Sequence, residues 1–400
     1  MHLASGWPLV GDANGNGEPI VDSRSDDWTS SSPVFLVDNT TGDVIEVAQP
    51  VCDKEARFVA SRFAWLRRDG NNIVIESPLT DSHARVVDPR AAVLVAAMGV
   101  PSHVDELARV SGLTADETQS VLAALLTIGA VRVYGDSSES SLEADVPITW
   151  EFHDLLFHTR SRAGRSPLRL SKSPLARGVN RDEDEQAGDL VLPKVDVHER
   201  VQHDPPFGQV VEQRRSVRDF DAGPISIQAL SELLARVMGV PAGGDGNRRK
   251  FPSGGAVFEI DAVVLAFDVT DLAKGPYLYR PLHHSLRPLH GDTEALDFLG
   301  RMAAGAARQP VEAIPPAVIV FTSRFNALAS HYQGIAYSLM LKHVGVLMAM
   351  MNLTAPLVGL GSVPLGLGDS DEFAAATGLD YYRHGSIGEI ALCRMDSTHA

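Results

Sequence analysis

Three arginines and a serine stand within five residues in Arg214-Arg215-Ser216-Val217-Arg218. Arginine presents a rigid fork of donors that matches a phosphate at two points. A serine hydroxyl between two such forks adds a short neutral donor. The chemistry on offer is capture of a phosphorylated ligand, and the competing reading is a solvated basic turn ahead of a helix. Two later stretches bear on the choice. Pro252-Ser253-Gly254-Gly255-Ala256 reads as a turn before an apolar strand. Gly359 to Gly368, with Pro364-Leu365-Gly366 inside it, reads as a glycine-rich loop behind an apolar helix. Backbone of this kind can come close to a planar ligand, because glycine has no side chain in the way. A fourth stretch, Ser330-His331-Tyr332, sets an imidazole beside a phenol. Histidine can act as a base near neutral pH without much tuning.

The order Arg-Arg-Ser-x-Arg-x-Phe, Pro-Ser-Gly-Gly-Ala, Gly-Leu-Gly-x-x-Pro-Leu-Gly resembles the FMN-dependent nitroreductase superfamily. The Pro-Ser-Gly-Gly-Ala form is similar to its SagB-type dehydrogenases, which oxidise thiazolines and oxazolines to azoles in ribosomally made peptides. The resemblance spans residues 201–395. It implies FMN, with Arg214, Arg215, Ser216 and Arg218 at the phosphate and ribityl chain. Pro252, Ser253, Gly254 and Gly255 would lie against the flavin ring edge, and Pro364, Leu365 and Gly366 over the other face. SagB-type enzymes carry a Lys-Tyr pair before the central helix. Here the matching pair is His331-Tyr332, so the tyrosine is kept and the lysine is replaced. The resemblance further implies a homodimer, a ribosomal precursor peptide as substrate and a cyclodehydratase as partner. Two alternatives stand beside the azoline dehydrogenase. One is an FMN enzyme that reduces a small molecule or dehydroamino acid with NAD(P)H. The other is a non-catalytic scaffold for a leader peptide or a cyclodehydratase.

The elements that must position these residues belong to a chain of 400 residues, long enough for two or three domains. A formal charge of −16 argues against a nucleic-acid binder, which wants a basic face. No early stretch reads as a signal peptide. No uninterrupted apolar run reaches the length of a membrane span. The run near 344–351 follows Lys342-His343 and reads as buried core. The expectation is a cytoplasmic protein without a membrane partner. Cys52 and Cys393 are too few and too far apart for a disulfide framework or a metal centre.

Along the chain, residues 1–32 are rich in Gly, Asn, Asp and Ser and read as a disordered tail. Residues 33–134 give strands, three helical periods and a closing strand, a winged-helix-like outline. The segment Ala115-Asp116-Glu117-Thr118-Gln119-Ser120 is acidic where a DNA reader would need cations. The outline resembles peptide-recognition modules, which add a leader peptide as a strand to a sheet edge; a purely structural prop is the alternative. Residues 135–200 read as a linker and a helix with Trp150, His153, Leu156 and Phe157 on one face, then an exposed loop over 174–196. Residues 201–400 read as an α+β domain, a mixed sheet surrounded by helices. In it a helix spans 227–240, a Tyr-x-Tyr hairpin follows a buried strand, and a long helix over 332–357 is either continuous or broken near Gly345.

Overall fold

The computed structural model describes residues 32–39, 41–46, 55–135, 142–144, 146–162, 188–241, 248–332 and 334–395. The tail expected over 1–32 and most of the loop expected over 174–196 lie outside them. The chain divides into two units, Met1–Leu168 and Arg169–Ala400.

In the first unit, an antiparallel five-stranded sheet runs in the order Val44–Ile45, Val34–Asp38, Ser82–Val86, Asn72–Glu76, Trp65–Asp69. Helices Pro89–Ala97, Val104–Ser111 and Ala115–Thr127 follow. Their starts are chemical. Asp88 accepts the Arg90 amide ahead of Pro89, and Thr114 and Glu117 exchange bonds in a capping box. Leu36, Ile75, Leu94, Leu107, Leu122 and Leu125 form the core between sheet and helices. Strand Val131–Val133 pairs with Arg57–Ala60, which also pairs with Ser102–His103. The edge strand begins at Trp65, and Phe63 just ahead of it is a fully buried anchor.

Helix Phe152–Arg160 also packs in this unit, but not on the expected face. Leu155 and Thr159 are buried, whereas the His153 side chain is 78% exposed. The reason is electrostatic. Glu76 is 3% exposed and takes Arg67 at 2.7 Å and Arg160 at 2.9 Å. A buried carboxylate must be paired. Bringing Arg160 to Glu76 turns Leu155 onto Phe63 and Leu79.

The second unit is α+β. Its seven-stranded sheet has the order Leu360–Leu365, His384–Arg394, Ala317–Arg324, Ile260–Ala266, Gly275–Arg280, Ser285–Pro288, Leu190–Val191, with antiparallel neighbours. A parallel pairing joins Ile225–Ser226 to Val269–Thr270. Period-two alternation splits each central strand between two cores. Val264, Ile319 and Ile390 face helices Ile227–Val237 and Ala336–Thr354. Val263, Val320 and Ala391 face helices Thr293–Ala306 and Ser370–Thr377. The Tyr-x-Tyr hairpin is present, with Tyr277 opposite Pro288. The helix expected over 227–240 ends at Val237.

Three expectations are corrected. Within the loop expected over 174–196, Leu190–Val191 joins the sheet, and Asp189 pairs with Arg287 at 3.0 Å. The sheet therefore starts before residue 201. The stretch Gly359 to Gly368 is not a loop throughout, because Leu360–Leu365 pairs with the last strand along its whole length. The long helix runs unbroken through Gly345, and it is not simply core. Ala336–Val358 is apolar enough and long enough to cross a membrane, yet only 33% of its most apolar window is buried. One stripe, Ala336, Met340, Val344, Leu347 and Met351, is buried. The opposite stripe, Tyr337, Leu341, Gly345 and Ala349, is exposed.

Glu389 points into the second core, among Leu299, Met302, Ala303, Val320, Leu365 and Phe373. Its carboxyl packs closely against Gly368, where a Cβ would come within 2.2 Å of Oε1. Burial pushes the Glu389 carboxyl up to about 7 from 4.5. The folded chain thus holds a proton that the unfolded chain releases between these values, so stability falls as pH rises through that window. The full shift is worth about 3 kcal/mol, and access to solvent at the rim lowers it to about 2 kcal/mol. Glu389→Gln is expected to raise Tm by several degrees at pH near 8 and to leave it unchanged near pH 4.5, as read by thermal melts at both values.

Candidate functional site

The arginine stretch leaves helix Phe207–Gln213 and is laid along the edge strand. The Val217 amide donates to the Ser362 carbonyl at 3.0 Å. A Cβ on Gly361 would stand 2.7 Å from Val217 and 2.8 Å from the Cys393 sulfur, so this approach requires glycine. Val217 is buried, while Arg214, Arg215 and Arg218 remain exposed and Ser216 half-buried. Arg214 Nη1 donates to Asn352 Oδ1 at 3.1 Å. Asn352 is 3% exposed, and its amide donates to Ser362 at the carbonyl (3.2 Å) and at Oγ (2.9 Å). One buried asparagine thus ties the arginines to the strand that carries Pro364. The Arg394 guanidinium lies against the Gly223 turn just beyond. This is a cationic edge suited to a phosphate.

In the edge strand, Leu365 belongs to the core beneath the sheet, whereas Pro364 and Gly366 are exposed. Proline is tolerated there because an edge residue can lack an amide donor. What Leu365 can offer a ligand is its backbone.

The second motif, Pro252-Ser253-Gly254-Gly255, is a strained turn. Gly255, Ala256 and Phe258 all have positive φ, at 60°, 55° and 52°. For the two non-glycine residues such backbone costs roughly 1–3 kcal/mol each and persists only when its surroundings enforce it. The enforcing groups are visible. Ser253 Oγ donates to Glu259 Oε2 at 2.8 Å and accepts the Phe258 amide at 2.9 Å. His343 Nδ1 bonds Glu259 Oε1 at 2.6 Å, and His343 Nε2 accepts the Gly254 amide at 3.0 Å. Glu259 is fully buried and His343 is 8% exposed. Burial works to raise the Glu259 carboxyl, but bonds from His343, its own backbone and Ser253 outweigh it and hold the group below its usual range.

Tyr332 closes this corner. Its ring lies 3.4 Å from where a Cβ on Gly254 would sit, and its hydroxyl 3.2 Å from where one on Gly255 would sit. The fold therefore brings Tyr332 against the Pro-Ser-Gly-Gly motif. His331 stands apart. It is exposed, and its Nδ1 reaches the Ala327 carbonyl at 3.0 Å and Ser330 Oγ at 2.9 Å. A carbonyl only accepts, so Nδ1 carries the proton and the neutral ring keeps its lone pair on Nε2.

The long helix joins the two halves. Asn352 holds the arginine edge and His343 holds the strained turn, nine residues or about 14 Å apart along the axis. Sequence reasoning missed both, and it missed Glu259. The signals were modest but present. His343 falls beside Val344 on the buried stripe, and Glu259 is an acid just ahead of a largely apolar strand. Among the described residues no His, Cys, Asp and Glu cluster could hold a metal ion.

Residues 211–391 match the nitroreductase family, and residues 58–167 match the cyanobactin oxidase ThcOx family. A protein named as a nitroreductase from Methanocaldococcus jannaschii is 27% identical over 157 residues, 39% of this chain and 76% of that one. A solved nitroreductase structure from Anabaena variabilis is 14% identical, covers 91% of this chain and 80% of its own, and gives a TM-score of 0.45. The microcin synthetase McbBCD complex of E. coli with truncated pro-MccB17 bound is 21% identical, with coverage of 57% and 85% and a TM-score of 0.41.

Proposed function

We propose that this chain, whose residues 211–391 form a nitroreductase-family domain behind a segment of cyanobactin-oxidase type, is an FMN-dependent dehydrogenase. Its substrate is a thiazoline or oxazoline ring in a ribosomally made precursor peptide, and its product the corresponding azole. The observation that carries this reading is the phenol of Tyr332 against the strained Gly254–Gly255 turn, which His343 bonds to the same helix whose Asn352 holds the arginine edge. The donor set suits FMN: exposed guanidinium groups for the phosphate, and two glycine-bearing backbone segments for a flat ring.

Azoline oxidation takes a hydride from one ring carbon and a proton from its neighbour. Bound FMN supplies the hydride acceptor. The protein's share is to hold and to deprotonate. Arg214, Arg218 and Ser216 bind the phosphate end. Pro252 to Gly255 and Pro364 to Gly366 bracket the reacting ring. Tyr332 and His331, with its free Nε2 lone pair, are the groups offered for the proton. In the first unit, the three-stranded sheet ending on Val131–Val133 is the surface proposed for the leader peptide, as an added strand. A cyclodehydratase is the proposed supplier of azoline, and the proposed location is the cytoplasm.

The test is direct. The full chain, loaded with FMN, is given an azoline-bearing precursor peptide, and the peptide is followed by mass spectrometry for loss of two hydrogens per ring. A flavin-loaded chain that leaves the azolines intact, but oxidises NAD(P)H in the presence of a nitro compound, would replace this reading with the reductase.

The exposed stripe Tyr337, Leu341, Gly345 and Ala349 supports a homodimer about a two-fold axis. Tyr337 is 47% and Leu341 37% exposed, and nothing lies within 4 Å of a Cβ on Gly345. An apolar stripe of this size on a helix wants a partner, and a small residue at its centre allows a close crossing. Leu341→Arg is expected to convert a dimer to a monomer in light scattering, whereas wild type running as a flavin-loaded monomer refutes the proposal.

A further inference from the structure

The strained turn at Pro252 to Gly255 is hydrogen-bonded to the long helix through His343, and the direction of that side chain's two hydrogen bonds is determined. Gly254 N–H can only donate, so His343 Nε2 must accept and carry no proton. Its Nδ1 must then carry the proton, which it gives to Glu259 Oε1 at 2.6 Å. Both Glu259 oxygens are occupied, the second by Ser253 Oγ at 2.8 Å. The chain Glu259–His343–Gly254 therefore works with one protonation state of the imidazole. A second proton, on Nε2, would set one N–H against another and break the bond to Gly254. The groups that face His343 are few. Glu259 stands ahead of strand Ile260–Ala266, Tyr332 lies on the other side of Gly254, and Lys342, exposed, precedes it on its own helix. Asp261, with Arg324 at 3.1 Å and His384 at 3.0 Å, forms a separate cluster further along the strand.

We propose that His343, oriented by Glu259, is a positioning residue for the flavin-facing turn. Its imidazole locks Gly254 by accepting the amide at Nε2, and flavin retention falls when that bond is removed. The flavin part rests on the function proposed above; the lock itself does not. Ala256 and Phe258 lie in backbone that a released turn would leave, so loss of the His343 bond should be felt across residues 253–258.

The first measurement is amide hydrogen exchange over residues 251–259 in the full chain without flavin, for wild type, His343→Gln and His343→Ala under one set of conditions. His343→Ala should lose roughly tenfold or more of the wild-type protection. His343→Gln should keep it, since glutamine can accept from Gly254 with its oxygen and donate to Glu259 with its nitrogen. The second measurement is FMN affinity by fluorescence titration of the same three chains. His343→Ala should bind roughly tenfold more weakly than wild type, and His343→Gln should bind as wild type does. Wild-type protection in His343→Ala, or equal loss in His343→Gln and His343→Ala, overturns the lock. A wild-type chain that takes up no FMN overturns the flavin reading, and the exchange measurement then still decides the lock.

Discussion

Arg218→Ala is expected to strip FMN from a protein that stays folded. Arg218 is exposed at the end of the arginine stretch, so its loss removes no core contact. A charge-assisted hydrogen bond to phosphate is worth roughly 1.5–3 kcal/mol, which is about 10- to 100-fold in Kd. Arg218→Lys should recover part of this, since it keeps the charge and loses the fork. Arg214→Ala should cost flavin by a second route. It frees Asn352, which is buried and hydrogen-bonded to Ser362, and so loosens the strand that carries Pro364. The predicted difference is therefore a lowered Tm in Arg214→Ala and a wild-type Tm in Arg218→Ala. Flavin content after gel filtration, read by absorbance beside a thermal melt, checks both. Full occupancy in folded Arg218→Ala would remove the arginine stretch from the site.

Much of this site could be read before the fold, because its parts are short and chemically distinct. The arginine stretch, the Pro-Ser-Gly-Gly turn and the Tyr332 position are local patterns, and the fold brings the turn and the tyrosine together. Helix starts at Asp88, Thr114 and Ser226 are local in the same way, since a cap is one side chain acting on its own neighbours. What was illegible depends on partners distant in sequence. Leu190–Val191 has too few residues to show a period and becomes a strand only because Ser285–Pro288 offers an edge. The glycines between 359 and 368 suggest a loop, yet Gly361 is there so that Val217 and Cys393 can approach a strand. His343 seemed to flank an apolar run, because its partner Glu259 lies 84 residues away. The exposed stripe on the long helix was hidden by composition, which is apolar on both faces, so that periodicity could not separate them.

Tyr332→Phe is expected to keep FMN and lose most azole formation. Its ring packs against Gly254 and Gly255, and phenylalanine fills the same space, so the turn and the flavin site should survive. What goes is the hydroxyl beside Gly255. A group that moves a proton in the slow step contributes typically about 10²- to 10⁴-fold, and a loss of that size is predicted in single-turnover flavin reduction by an azoline peptide. His331 is tested in the same assay. Its Nδ1–H is anchored on the Ala327 carbonyl, which leaves Nε2 to accept a proton while the ring is neutral. If it shares the work of Tyr332, His331→Ala should lose rate. His331→Lys, which recreates the Lys-Tyr pair of SagB-type enzymes, should retain more activity than alanine does. The two residues have separable signatures, because His331 is exposed and its removal leaves the packing of Tyr332 untouched. A wild-type rate in His331→Ala together with a large loss in Tyr332→Phe would assign the proton to the phenol alone. Wild-type rates in both would remove the pair from the chemistry and leave His343 and Glu259, on the other side of Gly254, as the titratable groups next to the turn.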